Sequence, residues 1–187
     1  MVCGYPLSAD LGRATFRLLP ANKLAIHPPL LRRCAISADT TTYTDSWTNE
    51  NPAIRAARRR GDELNVASPS PTTGAMLAVL ASALRAKAVV EVGTGVGISG
   101  LRLLDGMEAD GILTTIDPDA SHQSAAKETF GNAGLEPGRA RQITGQPSQV
   151  LPRLADGAYD LVLINDFEQD PKSFLSQARR LLRDGGM

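Results

Sequence analysis

The segment from Ala88 to Gly100 constrains this chain more than any other. A short, largely β-branched run, Ala88-Val89-Val90-Glu91-Val92, passes without a linker into Gly93-Thr94-Gly95-Val96-Gly97-Ile98-Ser99-Gly100. The first half reads as a buried strand and the second as a tight turn feeding a helix. Glycines at that place let the backbone turn sharply and let a ligand approach the main chain with no Cβ in the way. The helix start that follows supplies free N–H groups to a negatively charged ligand group.

The same strand-then-helix order recurs downstream. Ile112–Asp117, Ala140–Thr144 and Tyr159–Ile164 read as three further strands, the last the most apolar. A helix is expected over 119–133, stopped by Gly134, and a short one over 147–155, kinked at Pro152. A last helix, capped by Asp170-Pro171, places Phe174, Leu175, Ala178, Leu181 and Leu182 on one face and ends at Gly185-Gly186. Upstream, Asn51-Pro52 is an N-cap followed by proline, and Gly61 is expected to stop that helix, with Arg58, Arg59 and Arg60 in its last turn. A second helix follows Pro71, with Met76, Leu77, Leu80 and Leu84 on one face. Four strand–helix alternations with short connections predict a parallel sheet built from right-handed βαβ units, with helices on both faces. No repeat of solenoid length is visible.

Composition narrows the class. With 187 residues, 42% hydrophobic and 21% charged, the chain can bury one core. No apolar run reaches the length of a membrane span, and no continuous apolar stretch near the start resembles a secretory signal. The net charge is zero, yet residues 1–60 are basic and residues 61–187 mildly acidic, which speaks against a nucleic-acid surface. Cys3 and Cys34 lack metal or disulfide spacing, so a reducing, cytoplasmic compartment is expected. Residues 1–45 read as a basic, disordered arm. Its Arg-rich, acid-poor start is also compatible with a targeting peptide or a misassigned start codon. The domain proper is expected over 46–187.

Two cofactors compete for the glycine loop. Gly95, Gly97 and Gly100 formally match a dinucleotide fingerprint, although the first glycine after the strand is Gly93, and no P-loop Lys-Ser/Thr follows. Asp117 ends the second strand, where an acid can accept hydrogen bonds from both hydroxyls of a ribose. Glu91, just before the loop, is unwelcome beside a pyrophosphate and suits a ligand carrying an ammonium and a sulfonium. The plainer alternative is that Glu91 only caps loop amides.

At this point the chain resembles a family. Val90–Ser99, Leu113–Asp117, Tyr159–Ile164 and Leu181–Gly186 together are similar to the class I S-adenosylmethionine-dependent O-methyltransferases of the catechol and caffeoyl-CoA type. The resemblance covers about residues 50 to 187. It implies a Rossmann-like, doubly wound α/β fold and S-adenosyl-L-methionine as cofactor. Carried over by position, it implies cofactor contacts from Glu91, Gly93, Thr94, Gly95 and Ser99, with Asp117 on the ribose. It implies Ser70 near the methionine end and Gly145, Gln146 and Pro147 along the adenine. A small hydroxylated acceptor, with no nucleic-acid or membrane partner, and a homodimer also follow by resemblance.

Two departures bear on catalysis. The family's metal-binding Asp after the fourth strand is replaced by Asn165, whose amide oxygen is a weaker ligand for a divalent cation such as Mg²⁺. Asp166 is adjacent but one residue out of register. Glu168 stands where the family has a Lys, and could act as a base without supplying its charge. The sequence also ends at Met187, where the fifth strand and the remaining metal ligands are expected, which leaves the fourth strand as an open edge. Two alternatives therefore stand beside a working O-methyltransferase: an impaired cofactor- or partner-binding remnant, and a nucleotide-linked oxidoreductase. His27 and His122 read as solvated bystanders. Tyr43 and Trp47 read equally well as an anchor onto the body or as cover over the substrate.

Overall fold

The computed structural model describes residues 38–165 and 171–187. Expectations for Cys3, His27, Cys34, Asp166, Glu168 and Asp170 lie outside the described residues. Four parallel strands form the sheet: β1 (Ala88–Val92), β2 (Ile112–Asp117), β3 (Ala140–Thr144) and β4 (Leu161–Ile164), in the order β3-β2-β1-β4. The chain winds outward from β1 to β3 and then returns to the other side of β1. The carboxyl ends of β1 and β4 are therefore the point where winding reverses, the usual place for a ligand in such sheets.

Helices cover both faces: α1 (Ala38–Ser46), α2 (Pro52–Leu64), α3 (Pro71–Ala83), α4 (Ile98–Gly106), α5 (Ala120–Asn132), α6 (Pro147–Val150) and α7 (Pro171–Leu181). Strand alternation sorts the core into two layers. Val89 and Leu113 join Ile54, Leu77, Leu101, Leu103 and Phe130 on one side. Val90, Val92 and Ile116 join Leu151, Phe174 and Leu181 on the other. Glu91 and Thr115, paired across the β1–β2 register, share the face of Val89 and Leu113. Both are wholly buried.

Several expectations change. The helix from Asn51 does not stop at Gly61. It runs to Leu64 and ends on Asn65 in the left-handed conformation (φ 54°). Gly61 is buried inside it, where an added Cβ would lie 2.9 Å from Ser68 Oγ, so close packing explains this glycine. Arg58 does not serve the helix end; it pairs with Glu50 at 2.5 Å and donates to the Pro69 carbonyl at 2.9 Å. The inner face of α3 is Gly74, Leu77 and Ala81, and Met76 points outward. On α7, Phe174, Ala178 and Leu181 are buried while Leu175 is exposed. The fourth strand begins at Leu161, because Tyr159 bridges to Leu182. Beyond it, Met187 N donates to Asp160 O at 3.0 Å and Val162 N to Met187 O at 2.8 Å, on the edge of β4 that no described strand occupies.

Disorder through residue 45 is corrected over its last residues. Ala38–Ser46 is helical, and Asp45 Oδ1 accepts from the amide of Thr72 at 3.0 Å, which fixes α1 beside the start of α3. Tyr43 and Trp47 meet edge to face at 5.7 Å. Both are largely exposed, so neither is a buried anchor.

Candidate cofactor site

The loop between β1 and α4 is built as its glycines demand. Gly93, Gly95 and Gly97 have φ of 88°, 51° and 86°, values that side chains other than glycine rarely adopt. Gly97 also meets α5, since an added Cβ would lie 3.1 Å from Ala126 Cα. The turn is closed by Gly93 N donating to Ile116 O at 2.8 Å and Gly97 N to Thr94 O at 3.0 Å.

A cleft of about 330 Å³ opens over this loop, walled by Gly93, Thr94, Gly95, Ser99 and Asn165 on one side and by Ser68, Pro69 and Thr73 on the other. That volume lies within the range of ~300–1,000 Å³ typical of small-molecule sites. Five of the sequence-predicted residues thus come together. Ser70 is not among the lining residues; it lies between Pro69 and Thr73, which are, and its hydroxyl caps α3 by accepting from Thr73 N at 3.2 Å. A more open hollow of about 830 Å³ along α7 and the turn at 182–186 contains none of the expected residues.

Asp117 ends β2 beside the loop. Its carboxylate accepts from Gly95 N at 3.1 Å and from Asp119 N at 2.9 Å. A third contact comes from a residue that reads in the sequence as a solvated bystander. His122 Nδ1 lies 3.3 Å from the same carboxylate, and its Nε2 lies 3.8 Å from Asp119, so His122 is no bystander. A clue was present: His122 falls in the first turn of the helix capped by Asp119, two residues after the strand-ending acid. Gly145 N donates to Asp117 O at 3.1 Å, which brings Gly145, Gln146 and Pro147 to the same end of the sheet.

Glu91 lies beneath the loop with no exposed surface. Thr115 Oγ1 donates to Glu91 Oε2 at 2.7 Å and Asn165 Nδ2 approaches Oε1 at 3.3 Å. Burial pushes the Glu91 carboxyl up to about 7; hydrogen bonds from Ser99, Thr115 and Asn165 oppose this, and the charge of Asp117 adds to it. Asn165 Nδ2 also donates to Gly93 O at 3.0 Å and lies 3.3 Å from Ser99 Oγ. These acceptors fix which end of the amide faces inward: the nitrogen. Asn165 is thus a brace between β4 and the glycine loop. Among the described residues no three His, Cys, Asp or Glu side chains gather as a metal would require, and Asn165 turns its amide nitrogen, not its oxygen, toward Glu91 and Gly93.

The spacing of Gly95, Gly97 and Gly100 that favoured a dinucleotide has a packing explanation. Gly100 is buried in α4, where a Cβ would lie 2.9 Å from Leu113 Cδ2 and 3.2 Å from Glu91 Oε2.

Comparison with known proteins identifies the family. Residues 46–187 match the O-methyltransferase family. A candidate O-methyltransferase of Mycolicibacterium smegmatis is 48% identical over 145 residues, 78% of this chain and 69% of the relative. One of Mycolicibacterium vanbaalenii is 50% identical over 138 residues, 74% of this chain and 61% of the relative. The chain thus spans between 61% and 69% of the length of these curated relatives. Among solved structures, a protein from Corynebacterium glutamicum superimposes with a TM-score of 0.72 at 34% identity, over 78% of this chain and 68% of that one. The O-methyltransferase TomG from Streptomyces achromogenes, solved in complex with SAM, gives 0.70 at 26% identity, over 78% and 67%. On a match that takes in every described strand and the whole glycine loop, the chain belongs to the O-methyltransferase family.

Proposed function

We propose that residues 46–187 bind S-adenosyl-L-methionine at the glycine loop and serve the transfer of its methyl group to a hydroxyl of a small-molecule acceptor. The observation that carries this reading is the joining of loop and acid: Gly95, which lines the cleft, donates its amide to the buried Asp117 behind it. The SAM complex of TomG and a cofactor-bound protein from MTB, 30% identical with a TM-score of 0.71, support it.

The residues fit the cofactor. Gly93 and Gly95 leave main chain open to the cleft. A carboxylate offers about four lone-pair sites, so Asp117 keeps capacity for ribose hydroxyls beside its main-chain partners. Ser99 lines the cleft, its buried hydroxyl turned to Asn165 and Glu91; Ser70 borders the methionine end, and Gly145, Gln146 and Pro147 the adenine. Thr94 contributes main chain, since its side chain is buried. Glu91 stands behind the loop, and in its ionised form its field favours a cationic ligand. When bound, S-adenosyl-L-methionine supplies a methyl group activated by its sulfonium. The chain's part is to hold donor and acceptor in line, which removes much of the entropic barrier. Asn165 cannot take a proton and serves by bracing the loop; a basic role for Glu168 remains part of the proposal. So do a cytoplasmic setting, a homodimer, and an acceptor that is not a nucleic acid. No helix among the described residues is long and apolar enough to cross a membrane.

The test is a thermal melt with S-adenosylhomocysteine, then transfer from labelled cofactor to a panel of catechols and phenols. Ligand at about 100 times its Kd adds ~2.7 kcal/mol and raises the Tm by several degrees. Asp117→Ala is expected to weaken binding at least ~tenfold. A melt indifferent to saturating ligand would overturn the reading.

A further inference from the structure

Four buried polar side chains form a connected line beneath the loop, and counting hydrogens gives it a direction. Glu91 and Thr115 are 0% exposed, Thr94 2% and Gln123 6%. Thr115 Oγ1 donates to Glu91 Oε2 at 2.7 Å. A hydroxyl carries one hydrogen, so the 2.6 Å contact between Thr94 Oγ1 and Thr115 Oγ1 uses the hydrogen of Thr94. Thr94 Oγ1 in turn accepts from Gln123 Nε2 at 3.1 Å. Gln123 cannot be turned over, because Nε2 also donates to Ile143 O at 3.1 Å and its Oε1 accepts from Gln142 Nε2 at 2.8 Å. The line runs one way, from Gln142 through Gln123, Thr94 and Thr115 to Glu91.

We propose that Gln123 is a positioning residue of the cofactor site: it orients the Thr94 hydroxyl and thereby fixes the glycine loop. The inference rests on the reading that this loop holds S-adenosyl-L-methionine. Gln123 does not line the cleft, so it acts through Thr94. Thr94 governs both turns of the loop. Its carbonyl accepts from Gly97 N, and the next residue, Gly95, donates to Asp117. Packing alone does not call for an amide here, since Ala125, Ala126 and Phe130 of the same helix are buried and apolar. A buried amide with both ends satisfied selects one arrangement of its neighbours, where an apolar side chain would leave Thr94 free to rotate.

Gln123→Leu keeps the volume and removes the donor. In amide hydrogen exchange without ligand, Gly95 and Gly97 are expected to exchange about tenfold faster while α7 keeps wild-type rates. Affinity for S-adenosylhomocysteine is expected to fall about tenfold. Thr94→Val breaks the next link and reproduces both effects, so it carries the test even if Gln123→Leu fails to fold. Thr94→Ser keeps the hydroxyl and is expected to restore most of the protection at Gly95 and Gly97 that Thr94→Val loses. Wild-type rates at Gly95 and Gly97 in both Gln123→Leu and Thr94→Val, or acceleration spread equally to α7, would overturn the proposal and leave Gln123 a packing residue. A wild-type chain that does not bind S-adenosylhomocysteine would overturn the cofactor reading instead, and the exchange rates would still decide whether Gln123 fixes the loop.

Discussion

Two carboxylates are buried at opposite ends of the β1–β4 pair, and their surroundings push them in opposite directions. Asp160, just before β4, accepts from the amides of Lys87 at 2.6 Å and Ala88 at 2.8 Å and from Arg183. Burial pushes its carboxyl up, but those two amides and the guanidinium outweigh burial and hold it below the usual carboxylate range. At the far end of β1, Glu91 is pushed up to about 7 by burial that three neutral side-chain donors do not offset, with the like charge of Asp117 nearby. The number of partners is similar; their charge and rigidity are not. The Asp160 end is an anchor that closes the sheet. The Glu91 end, under the glycine loop, carries an electrostatic cost of the kind functional sites tolerate.

The largest effect that would sharpen this contrast is at the anchor. Asp160→Ala leaves two main-chain donors and Arg183 without their acceptor and is expected to cost about 4 kcal/mol in urea unfolding at pH 7. Asp160→Asn, which keeps one acceptor oxygen, is expected to cost about half as much. A loss under ~1 kcal/mol for the alanine variant would mean that Asp160 anchors nothing.

The second test is the pH dependence at Glu91, where the two carboxylates differ in sign. A carboxyl raised from 4.5 to about 7 holds a proton in the folded state that the unfolded state has released. Its contribution is therefore fully present below pH 4.5 and is lost as pH rises to about 7. The loss amounts to about 3 kcal/mol. Asp160 behaves oppositely: its contribution is present above pH 3.8 and is lost as pH falls through its lowered folded value. Unfolding free energies of wild type and Glu91→Gln between pH 4.5 and 8 isolate the first term. The difference between the two curves is expected to change by about 3 kcal/mol across that window. Parallel curves would mean that Glu91 is ionised throughout.

How much of this could be read beforehand follows from which forces are local. The strands β1, β2 and β3 were legible because apolar runs bounded by turn residues carry their own signal. Glu91 and Asp117 were legible as acids at strand ends. What failed depends on how helices dock. Apolar character alone turns Met76 and Leu175 inward, yet Leu175 is exposed on α7 and α3 buries Gly74, Leu77 and Ala81, a face of mostly small residues that hydrophobic counting undervalues. Gly61 looks like punctuation because a glycine near a plausible helix end resembles a cap; its actual reason, the nearness of Ser68, is tertiary. His122 and Gln123 were illegible for the same cause. Only the placement of α5 against the loop brings one to Asp117 and the other to Thr94.

The smallest expected effect concerns Asp117, which stands between the two extremes. It is buried like them and held by main-chain amides as Asp160 is, but its side-chain partner is the His122 imidazole at 3.3 Å, whose side chain is 28% exposed. A pair this long and this open to water is worth little, so His122→Ala is expected to cost less than ~1 kcal/mol in unfolding. Affinity for S-adenosylhomocysteine, measured by calorimetry, is expected to fall only about threefold, against at least ~tenfold for Asp117→Ala. The reason is that the amides of Gly95 and Asp119 remain to aim the carboxylate when the imidazole is gone. A loss on His122→Ala as large as that on Asp160→Ala would break the comparison at its root. It would show that a side-chain partner, rather than the main chain, decides where a buried acid of this sheet points.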